Sequence, residues 1–98
     1  MADFLVLEFS TPDAVALYHK VNGILGVNVD GSGDWPAPLL HHVAANVGDK
    51  LIVVETWESK QAQEEFMQTR LGPALQKADA PTPDRVEWFS QIGQMHRS

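Results

Sequence analysis

Between residues 38 and 58 the chain reads PLLHHVAANVGDKLIVVETWE. Gly48-Asp49 is a two-residue turn signal set between two strand-forming runs, so this stretch predicts a β-hairpin. That turn sets the register: His42 opposite Glu55, Leu40 opposite Trp57, Ala44 opposite Val53. Neighbours on a strand point to opposite faces. One face then carries Leu40, His42, Ala44, Leu51, Val53 and Trp57, and the other Leu39, His41, Val43, Val47, Ile52 and Val54. Both faces are mainly apolar, so both need cover.

The flanking segments supply cover for one of them. Residues 3–9 are short, apolar and rich in strand formers, and predict a first strand. STPDAVALYHKVNGIL follows, with Ser10 or Thr11 as cap, Pro12 and Asp13 in the first turn, and Ala14, Leu17, Tyr18, Val21 and Leu25 at helical spacing. Gly23 or Gly26 ends that helix. Residues 26–36 form a loop. ESKQAQEEFMQTRL predicts a second helix capped by Ser59, interrupted at Gly72-Pro73 and followed by a short turn over 73–78. DAPTPD is a rigid connector, RVEWFSQI a fourth strand, and residues 92–98 a frayed tail.

The order strand, helix, strand, strand, helix, strand is the α+β ferredoxin-like split βαβ arrangement, a single domain over 1–98. Right-handed connections place both helices on one face of a four-stranded antiparallel sheet. The first strand repeats the two-sided pattern, with Phe4 and Val6 on one side and Leu5, Leu7 and Phe9 on the other. The second apolar face therefore calls for a second copy, sheet against sheet, making an α/β barrel from a homodimer. A monomer with an unusually apolar sheet is the bland alternative.

Thirteen acids against seven bases give a formal charge of −6, which argues against nucleic-acid and anionic-membrane partners. There is no cysteine, which excludes disulfides, thiolate nucleophiles and Cys-based zinc sites. The start MADFLVLEFS lacks a basic n-region and a long apolar h-region, and no run is long enough for a membrane span; a cytoplasmic location is expected.

Adjacent His41 and His42 point to opposite faces and cannot share one metal or one substrate. His42, opposite Glu55 in apolar, aromatic surroundings, is a competent general base or hydrogen-bond donor, and the two form the candidate catalytic pair. A purely structural cross-strand pair is the competing reading. His41 is expected at the subunit boundary, His19 in solvent and His96 in the tail. No metal-ligand spacing occurs, and neither a metal nor a cofactor is expected. NVDGSGDW lacks the ligand set of a calcium loop and the spacing of a nucleotide cradle. It reads equally as a pocket mouth with Trp35 at its apolar tip or as a plain connector. Leu40, Trp57, Phe66, Trp88 and Trp35 are the candidate cavity-lining residues, in a cavity between sheet and helices.

VVETWESKQAQEEFMQTRLGPAL, preceded by DWPAPLLHHVAA, resembles the dimeric α/β-barrel superfamily along essentially the whole chain, and within it small uncharacterised actinobacterial proteins related to the antibiotic biosynthesis monooxygenases. Trp57-Glu58-Ser59 at the end of the third strand, His42, and the Leu71-Gly72-Pro73 break carry the likeness. The resemblance implies dimerisation through the sheets and a pocket between sheet and helices, with Trp57 lining it and His42 as one of its polar groups. Characterised members include cofactor-independent oxygenases of polycyclic phenols, polyketide cyclases and haem-handling enzymes. The chain departs from the monooxygenases in carrying Phe66 where they usually have a histidine on the second helix. It also lacks an evident Asn/Tyr substrate set, Tyr18 being its one tyrosine.

Three functions stay open at this level. One is a monooxygenase-like or cyclase-like enzyme acting on a small apolar or aromatic molecule, with His42 as proton acceptor oriented by Glu55. The second is a non-catalytic binder of such a metabolite. The third is an interaction module with a filled core and no ligand.

Overall fold

Each element starts where the chain supplies a cap or a turn. The computed structural model describes residues 3–95. After strand β1 (Asp3–Ser10), the Asp13 carboxylate accepts from the Ala16 N–H at 3.0 Å and opens helix α1 (Ala14–Leu25). Gly26 closes it in the left-handed conformation at φ 77°. The cap is Asp13, two or three residues later than Ser10 or Thr11. Strands β2 (Leu39–Val47) and β3 (Lys50–Trp57) are joined by Gly48-Asp49, with Gly48 at φ 59° as a two-residue hairpin turn needs. Strand β4 (Arg85–Ser90) completes one antiparallel sheet in the order β2-β3-β1-β4, the ferredoxin-like topology. Residues 91–95 carry no regular element, and His96 lies outside the described residues.

The hairpin register holds from His41 to Val47: His42 faces Glu55 and Ala44 faces Val53. It slips at the start of β2. There Leu39, not Leu40, pairs with Trp57, because a bulge between Leu39 and His41 takes up Leu40 as an extra residue. The expected Leu40–Trp57 pairing is thereby corrected, and Leu40 is left 46% exposed.

The second helix is not interrupted at Gly72-Pro73. Helix α2 (Lys60–Phe66), capped by the Ser59 hydroxyl accepting from the Ala62 N–H at 3.1 Å, runs through a π-helical turn (Met67–Leu71) into helix α3 (Gly72–Lys77). A proline inside an α-helix lacks one N–H and pushes against the carbonyl four residues back. The π turn absorbs that insult, because its wider ring lets the Gly72 N–H bond to the Met67 carbonyl. Gly72 itself has ordinary helical angles. What demands glycine is space, since a Cβ there would lie 2.7 Å from the Met67 carbonyl oxygen.

The helices cover one face of the sheet. Leu5, Leu7, Phe9, Leu51 and Val53 pack with Ala14, and partly buried Leu17, Leu75 and Trp88 close over them. Val21, Ala74 and Ala78 form the joint between α1 and α3. The far face carries Phe4, Val6, Val43, Ile52, Val54 and Phe89, with Val43 61% exposed and Phe89 42%. One end of that face is charged instead: Glu8 pairs with Arg85 at 3.1 Å and Lys50 at 3.5 Å. The Arg85 guanidinium holds the Glu8 carboxyl below its ordinary pKa. That interaction is therefore complete above the ordinary carboxylate range and fades as pH falls through the lowered value.

Two glycines with different surroundings test the packing account. Gly72→Ala is expected to destabilise by about 1–3 kcal/mol through overpacking against the π turn. Gly23→Ala, in α1 with nothing within 4 Å of its Cβ position, is expected to stabilise by about 0.5–1 kcal/mol. Denaturant midpoints of the two variants check both signs.

Candidate functional site at the His42–Glu55 pair

Glu55 is the one buried carboxylate among the described residues, 5% exposed on the helix-facing side of β3. A carboxylate in that position needs donors on both oxygens. It has them. Trp57, two residues on and on the same face, donates its indole N–H to Oε1 at 2.9 Å, and His42 Nδ1 meets Oε2 at 2.7 Å. Since the carboxylate accepts, Nδ1 carries the proton. This turns Nε2 toward α1, where the Tyr18 hydroxyl lies at 2.8 Å. The two rings are nearly parallel, with centroids 5.8 Å apart. Trp57, Glu55, His42 and Tyr18 thus form a continuous polar chain from the core to the surface of α1.

Trp35 supplies the next wall, its ring centroid 4.8 Å from that of His42. The loop that carries it is braced. Its indole N–H donates to the Asn28 carbonyl at 3.1 Å, and Arg70, from the π turn, donates to the Leu25 carbonyl at 3.0 Å while pairing with Asp34 at 3.3 Å. Gly33 has to be glycine, because a Cβ there would lie 2.5 Å from the Gly26 carbonyl oxygen. The Ser32 hydroxyl and backbone N–H both bond the Asp30 carboxylate, holding its pKa below the ordinary value.

Two spaces meet at this wall. An outer cleft of about 540 Å³ is bounded by Tyr18, Val29, Trp35, Leu39, Leu40 and His42. Behind it an inner chamber of about 60 Å³ is lined by apolar Leu17, Val21, Leu25, Phe66 and Leu71, and also by Asn22 and Glu55. Tyr18, Trp35 and His42 belong to both.

The candidate residues separate accordingly. His42 and Glu55 come together as expected, and Trp35 and Phe66 line the spaces beside them. Trp57 is fully buried behind Glu55, 5.6 Å from the Phe66 ring. It positions the carboxylate from the core side. Leu40 reaches the outer cleft from its bulge. Trp88 lies elsewhere: from β4, at the opposite edge of the sheet from β2, it pairs with Leu5 of β1 and packs on the core with the Lys60 ammonium 5.9 Å above its ring. His41 lies on the open face, where Gln94 meets its Nε2 at 2.9 Å, and His19 is exposed.

The sequence places Tyr18 only in the apolar stripe of the first helix, with no role at His42, and does not single out Asn22. Both sit on the apolar stripe of α1, four residues apart and hence on one face. Two polar tips at that spacing inside an otherwise apolar stripe were the available signal.

A base of fixed tautomer beside a phenol, at the mouth of an apolar cleft, can accept a proton from a bound molecule and hold it without a metal. Comparison with known proteins addresses the fold. No family model matches the chain, and no curated protein matches it by sequence. Solved structures do match. One is a protein from Chloroflexus aurantiacus provisionally assigned as an antibiotic biosynthesis monooxygenase, at 14% identity over 98% of both chains, TM-score 0.72. Another is SnoaB, a cofactor-independent oxygenase from Streptomyces nogalater, at 10% identity over 98% of both chains, TM-score 0.66. A third is the monooxygenase ActVA-Orf6 of Streptomyces coelicolor, solved with nanaomycin D, at 19% identity over 99% of this chain and 93% of that one, TM-score 0.62. No helix among the described residues is long and apolar enough to cross a membrane. The chain thus has the ferredoxin-like fold of the antibiotic biosynthesis monooxygenase-like proteins.

Proposed function

We propose that the protein is a small cofactor-independent, monooxygenase-like enzyme that binds an apolar or aromatic metabolite in the cleft beside His42. The observation that carries this reading is the Tyr18–His42–Glu55–Trp57 chain ending at the cleft wall. In this account an acidic C–H or O–H of the ligand loses its proton to the Tyr18 oxygen as Tyr18 passes its own proton to His42 Nε2. The resulting carbanion reacts with dioxygen, and loss of water from the adduct converts a ring CH₂ into a carbonyl. Glu55 stabilises the imidazolium that forms, and Trp57 keeps Glu55 in place. The description of SnoaB as a cofactor-independent oxygenase and of ActVA-Orf6 as a monooxygenase supports an oxygenase reading.

A second reading is a non-catalytic binder. It is favoured by the completeness of the chain, since a network with every bond closed also serves simply to specify the core.

We further propose that the open sheet face is covered by a second copy of the chain. Its exposed Val43, Val47 and Phe89 support this, as does the description of one fold neighbour as a dimeric ferredoxin-like protein, at 14% identity and TM-score 0.53.

Oxygen uptake with a panel of polycyclic phenols and their keto tautomers tests the enzyme. His42→Ala is expected to lower turnover at least about 100-fold, with Tyr18→Phe and Glu55→Gln also impaired. Unchanged turnover in all three would remove the polar chain from the chemistry, and binding without oxygen uptake by the unaltered protein would leave the binder. The assembly has its own check. Light scattering at low micromolar concentration is expected to give twice the mass of 10.8 kDa, and Val43→Asp to shift it toward the single chain.

A further inference from the structure

The inner chamber contains one polar group that the proton chain does not use. Asn22 is 7% exposed, and its Nδ2 has no hydrogen-bond partner among the described residues. The side chain lines the chamber together with Leu17, Val21, Leu25, Phe66 and Leu71, none of which offers an acceptor, and with Tyr18 and Glu55, whose oxygens are engaged by His42 and Trp57. It projects from α1 one turn beyond Tyr18, and therefore on the same side as the phenol. Buried donors are rarely left without an acceptor, and a site built to bond a ligand's polar group is one setting in which a donor stands unpaired until the ligand arrives.

Size limits what the acceptor can belong to. About 60 Å³ is too little for a ring system, whereas the cleft of about 540 Å³ on the other side of Tyr18, Trp35 and His42 holds one comfortably. A flat molecule in the cleft could put only a small substituent past that wall. With N–H as the donor, the substituent must be an acceptor; with mostly apolar walls and the Glu55 carboxylate among them, a neutral one.

We propose that Asn22 is a ligand-binding residue whose Nδ2 donates to a carbonyl oxygen carried by the molecule in the cleft. The inference rests on the reading of that cleft as a ligand site, and adds a requirement to it: the ligand is a ketone or related carbonyl compound, anchored at its oxygen by Asn22 and presented by its ring to Tyr18. Asn22 then selects among aromatic molecules of similar shape, because an analogue lacking the carbonyl leaves the amide unpaired.

The test compares 1-indanone with indane, which differ at the carbonyl, by NMR titration of the isotope-labelled protein. Saturable 1-indanone binding that moves the Asn22 side-chain NH₂ resonances downfield, with indane leaving them in place, is the expected result. In Asn22→Leu the preference for the ketone over the hydrocarbon is expected to fall about tenfold. The amide signature is read in the unaltered protein, so it stands even if that variant does not fold. Binding of both probes with the same amide shift, or a ketone preference that survives Asn22→Leu, overturns the role of Asn22 and leaves the cleft a ligand site. If neither probe binds saturably, the role of Asn22 and the ligand site both fall.

Discussion

One buried carboxylate organises this molecule. Glu55 sits on a strand whose neighbours are apolar, 5% exposed, and its charge is tolerable only because an indole N–H and an imidazole N–H meet its two oxygens. Removing one partner of a buried charged pair typically costs about 3–5 kcal/mol, so the three side chains are mutually dependent. Their positions follow from the backbone. Trp57 reaches Glu55 because residues two apart on β3 share a face, and His42 reaches it because the Gly48-Asp49 turn puts them directly opposite. Tyr18 joins from α1, which lies over the same face of the sheet. A cross-strand pair thereby fastens helix to sheet at the point where the cleft opens.

The surroundings hold the geometry still. The π turn places Arg70 where it can bond the end of α1 and pair with Asp34, bracing the loop that carries Trp35 against His42. The residue that permits the π turn, Gly72, and the proline that makes it advantageous are far from the chemistry in sequence, yet they fix one wall of the site. The same economy appears on the opposite side of the sheet. Apolar side chains cover most of it, and the charged residues Glu8, Lys50 and Arg85 gather at one end, so shape and charge both distinguish the two ends of that surface.

Much of this is legible in the sequence alone. The hairpin turn determined which residues face one another, and strand alternation separated His41 from His42, so the pairing of His42 with Glu55 followed from counting. The bulge did not. Leu39 and Leu40 are the same residue type, and nothing in their chemistry says which of them faces Trp57. Gly72-Pro73 reads as a break because a proline's missing N–H looks terminal in a one-dimensional pattern, whereas a widened turn accommodates it. Trp88 is expected at the cavity from the sequence; strand order places it at the opposite edge of the sheet from β2. Tyr18 reads in the sequence only as a member of an apolar stripe, and Asn22 as a polar residue beside it. What a side chain's polar tip meets depends on the element packed over it, and that is tertiary information.

The central claim is that Glu55 dictates which nitrogen of His42 holds the proton, leaving the other to Tyr18. Long-range proton–nitrogen correlation at the His42 ring measures this directly. The account predicts that Nδ1 bears the proton in the neutral imidazole and that Nε2 has the shift of a hydrogen-bonded acceptor, moving toward that of a bare nitrogen in Tyr18→Phe. A neutral ring protonated at Nε2, or an Nε2 indifferent to loss of the phenol, would contradict it.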